Sequence, residues 1–314
     1  MANDMAKPIL VTGSHRSGTT WVGKMISACP SVVYVHEPFS PETYRIYPGR
    51  CGAKFIYWNT YVTDENEAAF YKHIENTLGF RYNLGAQFNA NRNFVDFKRT
   101  LKEYCIYWGY RSRNLVPLMK DPLAIFSAGW LAKKFDMNVL VLVRHPAAFV
   151  TSLKRLNWDY DFYELLQQPL LIRDYLYPFE QEITEYAALD NEIIDRAALL
   201  WKMIYSVVLK YQKYHPDWIY LRYEDLAGNP IPCFEYLFNR FGLEFSDSVK
   251  ATIQDYTSPS NPIDAPEGDW SLRKRNSQAN VGSWKNKLTK DEIIRIKAHV
   301  EEVSKEFYAD EDWE

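Results

Sequence analysis

The sequence predicts an α/β protein of three layers, with a central parallel sheet of about five strands and helices on both faces. Three observations support this expectation. Short apolar runs recur at Ile9–Thr12, Ser31–Val35, Val116–Met119, Asn138–Val143 and Trp218–Arg222, with segments of helical period between them. Runs so short and so continuously apolar suit strands covered on both faces, as in a parallel sheet. The first run also ends in a loop bracketed by Gly13 and Gly18 that opens directly into a helical pattern. Strand, glycine-bracketed loop and helix N-terminus together aim backbone N–H groups at an anion.

Taken in chain order, Ile9–Val11 leads through the loop to a helix expected over Thr19–Ala28. The stretch from about 38 to 114 then breaks the strand–helix rhythm and is rich in Tyr, Phe, Asn and Arg. It reads as an insertion over the carboxyl ends of the strands, where open α/β sheets bind ligands. Further helices are expected over Leu123–Phe135, Pro146–Leu156, Glu192–Tyr214, Pro232–Phe241 and Lys290–Phe307. Thr289 followed by Glu292 supplies a capping box for the last of them. A second helical insertion, about 159–189, is expected to join the first as a lid. Residues Tyr256–Lys287 combine Pro, Gly, Ser and Asn with several cations and read as a long functional loop. Repeats and low-complexity tracts are absent, so one domain over 1–314 is expected, P-loop-like in fold with helical lid insertions.

Composition narrows the function. A chain with 47% hydrophobic and 25% charged residues is ordinary globular material. Its formal charge of −3 argues against a partner that is a nucleic acid polymer, while leaving room for a local basic pocket. The four cysteines, Cys29, Cys51, Cys105 and Cys233, lack metal-ligand spacing and are expected to be reduced, with a Cys29–Cys51 bridge as the alternative. Met1–Lys7 offers no apolar leader core, and no run approaches the roughly 18–20 apolar residues that span a bilayer. A cytoplasmic protein is expected, and a homodimer is left open.

Four segments carry the chemistry. In the first, His15, Arg16, Ser17, Gly18, Thr19 and Thr20 have the spacing of a nucleoside-triphosphate loop, with one departure. Thr19 stands where that motif has Lys, and the cation sits inside the loop as Arg16. The departure argues for a phosphate-bearing donor other than ATP or GTP, and against the rival reading of a P-loop kinase. In the second segment a strand ends at Arg144, Pro146 opens a helix, and Ser152 follows eight residues after Arg144. A guanidinium fork and a hydroxyl so placed can share one phosphate; a structural ion pair for Arg144 is the plain alternative. The third, Leu221–Pro230, carries Tyr223 at a strand end. The fourth, Asn280–Thr289, carries Gly282, Trp284 and Lys285 and is preceded by Arg273, Lys274 and Arg275.

In this order the four segments resemble the sulfotransferase superfamily, whose members move a sulfuryl group from 3′-phosphoadenosine 5′-phosphosulfate (PAPS) to an acceptor. The resemblance implies that Arg-Ser-Gly-Thr-Thr-Trp at 16–21 is the 5′-phosphosulfate loop, with Trp21 a stacking residue. It implies that Arg144 and Ser152 bind the 3′-phosphate, that Tyr223 contacts the adenine, and that Val281–Thr289 is the C-terminal phosphate loop. There the family's Arg-Lys-Gly is replaced by Arg273-Lys274-Arg275, which leaves open which cation reaches the 3′-phosphate. Lys120, in Lys120-Asp121-Pro122, is similar to the Lys-Asp-Pro of bacterial and carbohydrate sulfotransferases. It becomes the candidate cation facing the sulfuryl group; a solvated Lys paired with Asp121 is its plain alternative. No carboxylate constellation demands a metal.

In-line sulfuryl transfer, like phosphoryl transfer, asks for positioning and for cations around the charge that develops. Arg16 is expected to meet charge on the bridging oxygen. The acceptor hydroxyl needs a base, and Glu37, in His36-Glu37-Pro38 directly after the second strand, is the first candidate. A similar Glu-Pro occurs in carbohydrate-type members, so Arg16, Glu37 and Lys120 favour a carbohydrate or glycoconjugate acceptor over a small alcohol, a phenol or protein tyrosine. His36 is the alternative base, and a residue within the insertions a third. His15 either touches the sulfuryl group or shapes the turn, and His145 is expected to be structural. The Tyr57–Trp58 and Tyr107–Trp108 pairs read as packing before acceptor lining, and Arg111, Arg113 and Arg155 as solvated. A non-catalytic nucleotide-binding module is the reading outside enzymes.

Overall fold

Five strands form one parallel sheet: β1 (Ile9–Gly13), β2 (Val32–His36), β3 (Val116–Lys120), β4 (Asn138–Val143) and β5 (Ile219–Arg222), in the order β2-β3-β1-β4-β5. The computed structural model describes residues 7–189, 191–262, 274 and 276–314. The chain leaves β1 towards β2 and leaves the adjacent β4 towards β5, in opposite directions, so the carboxyl ends of β1 and β4 flank a topological switch point with a crevice for a ligand. Register decides which residues meet there. His36 on β2 lies level with Lys120 on β3, and Gly13 on β1 lies level with Leu142 on β4.

Alternation along the strands sorts the core into two layers. Ile9, Val11, Leu118, Leu140 and Leu142 face helix α1 (Thr19–Ile26) and the helix Pro230–Arg240, through Val22, Ile26, Phe234 and Phe238. Leu10, Met119, Val139, Val141 and Val143 face the opposite way, against Phe149, Trp201 and Val208 of the helices Pro146–Leu156 and Ile193–Tyr214. The two-sided burial read from the apolar runs is therefore present in the central strands β1, β3 and β4, whereas the edge strands β2 and β5 are partly open.

Several elements depart from the expected bounds, for local reasons. The single helix expected over 123–135 is a 3₁₀ segment, Pro122–Ser127, followed by an α-helix, Ala128–Phe135. Ser127 Oγ donates to the Thr60 carbonyl and accepts from Val62 N, each at 2.8 Å, so its side chain serves the insertion. α1 ends at Ile26, where Ser27 Oγ bonds back to the Gly23 carbonyl at 2.7 Å. The last helix, Lys290–Ser304, begins with the expected capping box of Thr289 and Glu292 but stops three residues early. Helices not foreseen include Pro41–Ile46, Tyr71–Leu78, Leu84–Ala90, Phe94–Ser112 and Asp247–Thr257. All four cysteines are free, which rules out the Cys29–Cys51 bridge. No helix among the described residues is long and apolar enough to cross a membrane.

The two insertions are stitched to each other. Gln168 accepts from Tyr61 N at 2.8 Å and donates to the Asn59 carbonyl at 3.2 Å, while Glu164 accepts from Trp58 N at 2.7 Å. The buried Gln168 and the half-buried Glu164 thus replace the sheet ladder that this irregular backbone lacks.

One substitution tests how tightly the loop is sprung from the sheet. Gly13 has φ +140°, and a Cβ there would stand 2.4 Å from the Leu142 carbonyl. Gly13→Ala should lower the denaturant midpoint by the equivalent of about 2–3 kcal/mol. Gly109→Ala, where a Cβ meets nothing within 4 Å in the last turn of a helix, should raise stability by up to about 1 kcal/mol. Equal midpoints for the two variants would contradict this packing.

Candidate active site

The glycine-bracketed loop is held from below. Ser17 closes it by donating both N–H and Oγ to the Ser14 carbonyl, at 3.2 and 2.6 Å. Tyr205 Oη, from the long helix Ile193–Tyr214, lies 2.9 Å from Ser14 Oγ and accepts from Arg144 N at 3.2 Å. One phenol therefore joins the ends of β1 and β4. Arg16 and Gly18 both take left-handed backbone, with φ 65° and 94°. Strain in a non-glycine residue is tolerated where the surroundings fix it, and such positions concentrate at functional sites. No side chain caps α1, so the N–H groups of its first turn at Thr19, Thr20 and Trp21 are left for an anion.

The second and third segments converge on this loop. Arg16 Nε donates to Ser152 Oγ at 3.0 Å. Arg144 donates through Nη1 to the Arg16 carbonyl at 2.6 Å and through Nη2 to Asn280 Oδ1 at 3.4 Å. Its guanidinium lies 4.6 Å above the Tyr223 ring, and its Nε is buried without a hydrogen-bond partner. Tyr223 packs against Gly18, where a Cβ would stand 2.6 Å from the ring, and Trp21 meets the same ring edge-on at 5.8 Å. His15 is wedged between Phe149 and Trp158, at 5.1 and 4.7 Å. Burial, then the Arg16 charge, pushes its pKa down to about 3, so it is a neutral spacer at ordinary pH.

The fourth segment divides. Asn280 reaches Arg144, a contact that no motif in the segment singles out. Trp284 is buried instead and stacks on His145 at 4.9 Å and 8°. His145 is boxed in further by Tyr308 and Trp313 and accepts from Ala147 N through Nδ1 as a helix cap. Burial, then Lys285, pushes its pKa down to about 3. Lys285 is exposed, and Gly282 ends the short helix Ser277–Val281. Arg273 lies outside the described residues.

On the other side of the loop, Lys120 and Glu37 form an ion pair. The lysine is fully buried at the end of β3, while the carboxylate side chain is 25% exposed. Glu37 is left-handed at φ 41° and donates its N–H to the Lys120 carbonyl at 2.9 Å. Lys120 pairs with Glu37, and not with Asp121 as its plain reading had it. Asp121 instead accepts from Phe39 N at 2.7 Å and Leu123 N at 3.0 Å, pinning the first residues of the insertion. Burial and the nearby Glu37 charge push Asp121 up, to about 8. Gly23 of α1 lets the helix close on Lys120, whose Cβ would be 3.2 Å from a Cβ at 23.

A cleft of about 420 Å³ opens beside this pair, lined by Thr20, Lys24, His36, Arg50, Thr77 and Tyr107 among others. α1 gives one wall, the end of β2 another, and the insertion the third. Burial and then Lys120 push His36 down to about 4, so it carries no charge at neutral pH. Tyr107 lines the cleft and also packs against Phe80, Tyr82 and Tyr110, as the packing reading expects, whereas its neighbour Trp108 faces solvent. Arg111, Arg113 and Arg155 are exposed. No cluster of His, Cys, Asp or Glu among the described residues could hold a metal ion.

A model of the sulfotransferase family matches residues 8–247. Among solved structures, the sulfotransferase domain from the Synechococcus PCC 7002 olefin synthase is 14% identical, over 99% of this chain and 98% of that one, with a TM-score of 0.52. The sulfotransferase domain from the curacin biosynthetic pathway is 14% identical over 94% of this chain and 98% of its own, at a TM-score of 0.48. A mouse sulfotransferase, SULT7A1, complexed with PAP, is 12% identical over 96% and 85%, at 0.43. At such identities the first of these speaks for the fold alone.

The neutral, buried His145 predicts a pH dependence. Its folded pKa lies below the ordinary 6.5, so the unfolded chain binds the proton more readily and stability is lost as pH falls from 6.5 towards 3. The slope from one such group is about 1.4 kcal/mol per pH unit. His145→Asn keeps a capping side chain and should flatten the wild-type slope by about that amount in urea unfolding between pH 6.5 and 5. An unchanged slope would show that His145 takes up its proton in the folded state.

Proposed function

The chain belongs to the sulfotransferase family, and we propose that it transfers a sulfuryl group from PAPS to a hydroxyl acceptor of the carbohydrate or glycoconjugate class. The observation that carries this reading is the Lys120–Glu37 pair, set between the anion-binding loop and a cleft that Glu37's neighbours His36 and Pro38 help to line. A cation for the transferred group and a base for the acceptor then stand side by side.

In this proposal the donor lies across the switch point. The first-turn N–H groups of α1, with Arg16, Ser17, Thr19 and Thr20, hold the 5′ end. Arg144 and Ser152 hold the 3′-phosphate, for which the buried, unpartnered Arg144 Nε supplies a waiting donor. Tyr223 and Trp21 offer ring surface to the adenine, and Asn280 orients Arg144. The Arg16–Ser152 hydrogen bond makes the two phosphate ends one unit. His15, buried and neutral, shapes the turn and takes no part in proton transfer. Arg273, Gly282 and Lys285 belong to the C-terminal phosphate loop only through the family resemblance. Trp284 supports that loop from within the core.

The reaction balances without a metal. The acceptor oxygen attacks sulfur, the bond from sulfur to the bridging oxygen breaks, and the acceptor's proton passes to the Glu37 carboxylate. Lys120 and Arg16 face the charge on the sulfuryl and bridging oxygens. Thr20, His36 and Arg50 around the cleft suit an acceptor rich in hydroxyl groups. Tyr107 in the same wall favours, as a second reading, a small phenol that stacks on its ring.

Adenosine 3′,5′-bisphosphate in the presence of a chelator should raise the unfolding temperature, whereas ATP with Mg²⁺ should not. A concentration of 100 times the dissociation constant corresponds to about 2.7 kcal/mol. Glu37→Gln and Lys120→Met should cut turnover by roughly 100-fold or more while sparing nucleotide affinity. Arg144→Ala should weaken nucleotide binding about tenfold or more. Acceptors are found as a sulfate-sized mass gain across a library incubated with the donor. Full turnover in Glu37→Gln would remove the assigned base, and stabilisation by ATP with Mg²⁺ alone would transfer the case to a kinase.

A further inference from the structure

The helix Phe94–Ser112 carries a stripe that the reaction does not explain. Phe94, Phe97, Leu101, Tyr104 and Trp108 recur at spacings of three and four and are all exposed, Phe94 at 69% and Trp108 at 65%. This helix cannot roll to hide them, because its inner face is already engaged. Thr100 is buried against Asn91, Glu103 binds Arg50 and Tyr82, and Tyr107 lines the cleft. From the side-chain sizes, the stripe exposes on the order of 500 Å² of apolar surface, at the upper end of what a monomer tolerates.

Charge identifies what covers it. Besides Arg99, exposed cations Arg92, Lys98, Lys102, Arg111 and Arg113 crowd on and around this helix, in a chain whose formal net charge is −3. The two acids within the helix are already taken, Asp96 by Arg99 and Glu103 by Arg50. Lys98 and Lys102 each directly follow a stripe residue and so flank the apolar band on one side, where their stems can lie along it with the ammonium groups at its edge. Aromatic side chains in a band with cations at its margin match a bilayer interface bearing negative headgroups. A second copy fits less well, because two-fold pairing would set these same cations against each other.

We propose that this helix docks the protein on an anionic membrane surface, its outer stripe in the interface and its inner face forming a wall of the cleft. The inference needs no nucleotide and stands on the helix alone. Flotation of the full chain with phosphatidylcholine vesicles, with and without phosphatidylglycerol, tests it. Binding should appear only with phosphatidylglycerol, fall as salt rises, and weaken roughly tenfold or more in Phe94→Ser/Trp108→Ser and in Lys98→Glu/Lys102→Glu. These side chains are exposed, so both variants should keep the wild-type unfolding temperature. Wild-type protein that ignores phosphatidylglycerol vesicles, or variants that float as well as wild type, would overturn the proposal. So would a wild-type dimer that Phe94→Ser/Trp108→Ser converts to monomer, since that gives the stripe to a second copy. Vesicle binding in a protein that no adenosine 3′,5′-bisphosphate stabilises would sink the donor reading and leave this one intact.

Discussion

A lysine with no solvent exposure at the end of a parallel strand is the constraint around which the site is organised. A buried ammonium such as that of Lys120 needs a partner, because removing one member of such a pair leaves a buried charge that costs about 3–5 kcal/mol. The chain meets this demand with Glu37, delivered from the adjacent strand end in a left-handed conformation and fixed through its own N–H to the Lys120 carbonyl. β2, β3 and the start of the insertion are thereby tied together at one point. Asp121 completes the knot by taking the N–H groups of Phe39 and Leu123. The groups proposed for chemistry are thus also the groups that fix the local fold.

The two halves of the site rest on different materials. The half proposed for the donor is sheet, loop and long helix, with Tyr205 bonding across β1 and β4 and Arg144 lying on Tyr223. It tolerates little change, because its backbone takes positive φ at Gly13, Arg16 and Gly18 and its rings pack where a Cβ would stand. The cleft half is mostly insertion, held by Gln168, Ser127 and Asp121 through hydrogen bonds to irregular backbone. Loop walls of this kind tolerate change more readily than a packed sheet and helix, which is how one fold can serve many functions.

Strand positions were legible because buried parallel strands are continuous apolar runs, and all five appeared within a residue or so of where the runs lie. The loop was legible because only glycine suits Gly13 and Gly18. Helices of the insertion were not. Phe94–Ser112 leaves its apolar stripe in solvent, so its pattern lacks the polar outer face by which a helix is usually recognised. Capping by Ser40, Asn83 and Asn93 was the available signal, but short capped helices and turns share those residues. Trp284 and Asn280 exchanged expectations for a related reason. A tryptophan in a motif can serve the ligand or the core, and only its stack on His145 decides for the core.

By itself the sequence determined the sheet, the anion-binding loop and the membership of one family, since these follow from local period, glycine placement and motif order. Tertiary structure decided the partnerships. Lys120 paired with Glu37 and not with its neighbour Asp121 because β2 and β3 run side by side in a register that sets His36 against Lys120. Arg16 met Ser152 across 136 positions because the switch point brings the ends of β1 and β4 together. Distances of that kind arise from strand order and burial, which are properties of the packed chain and of no single segment within it.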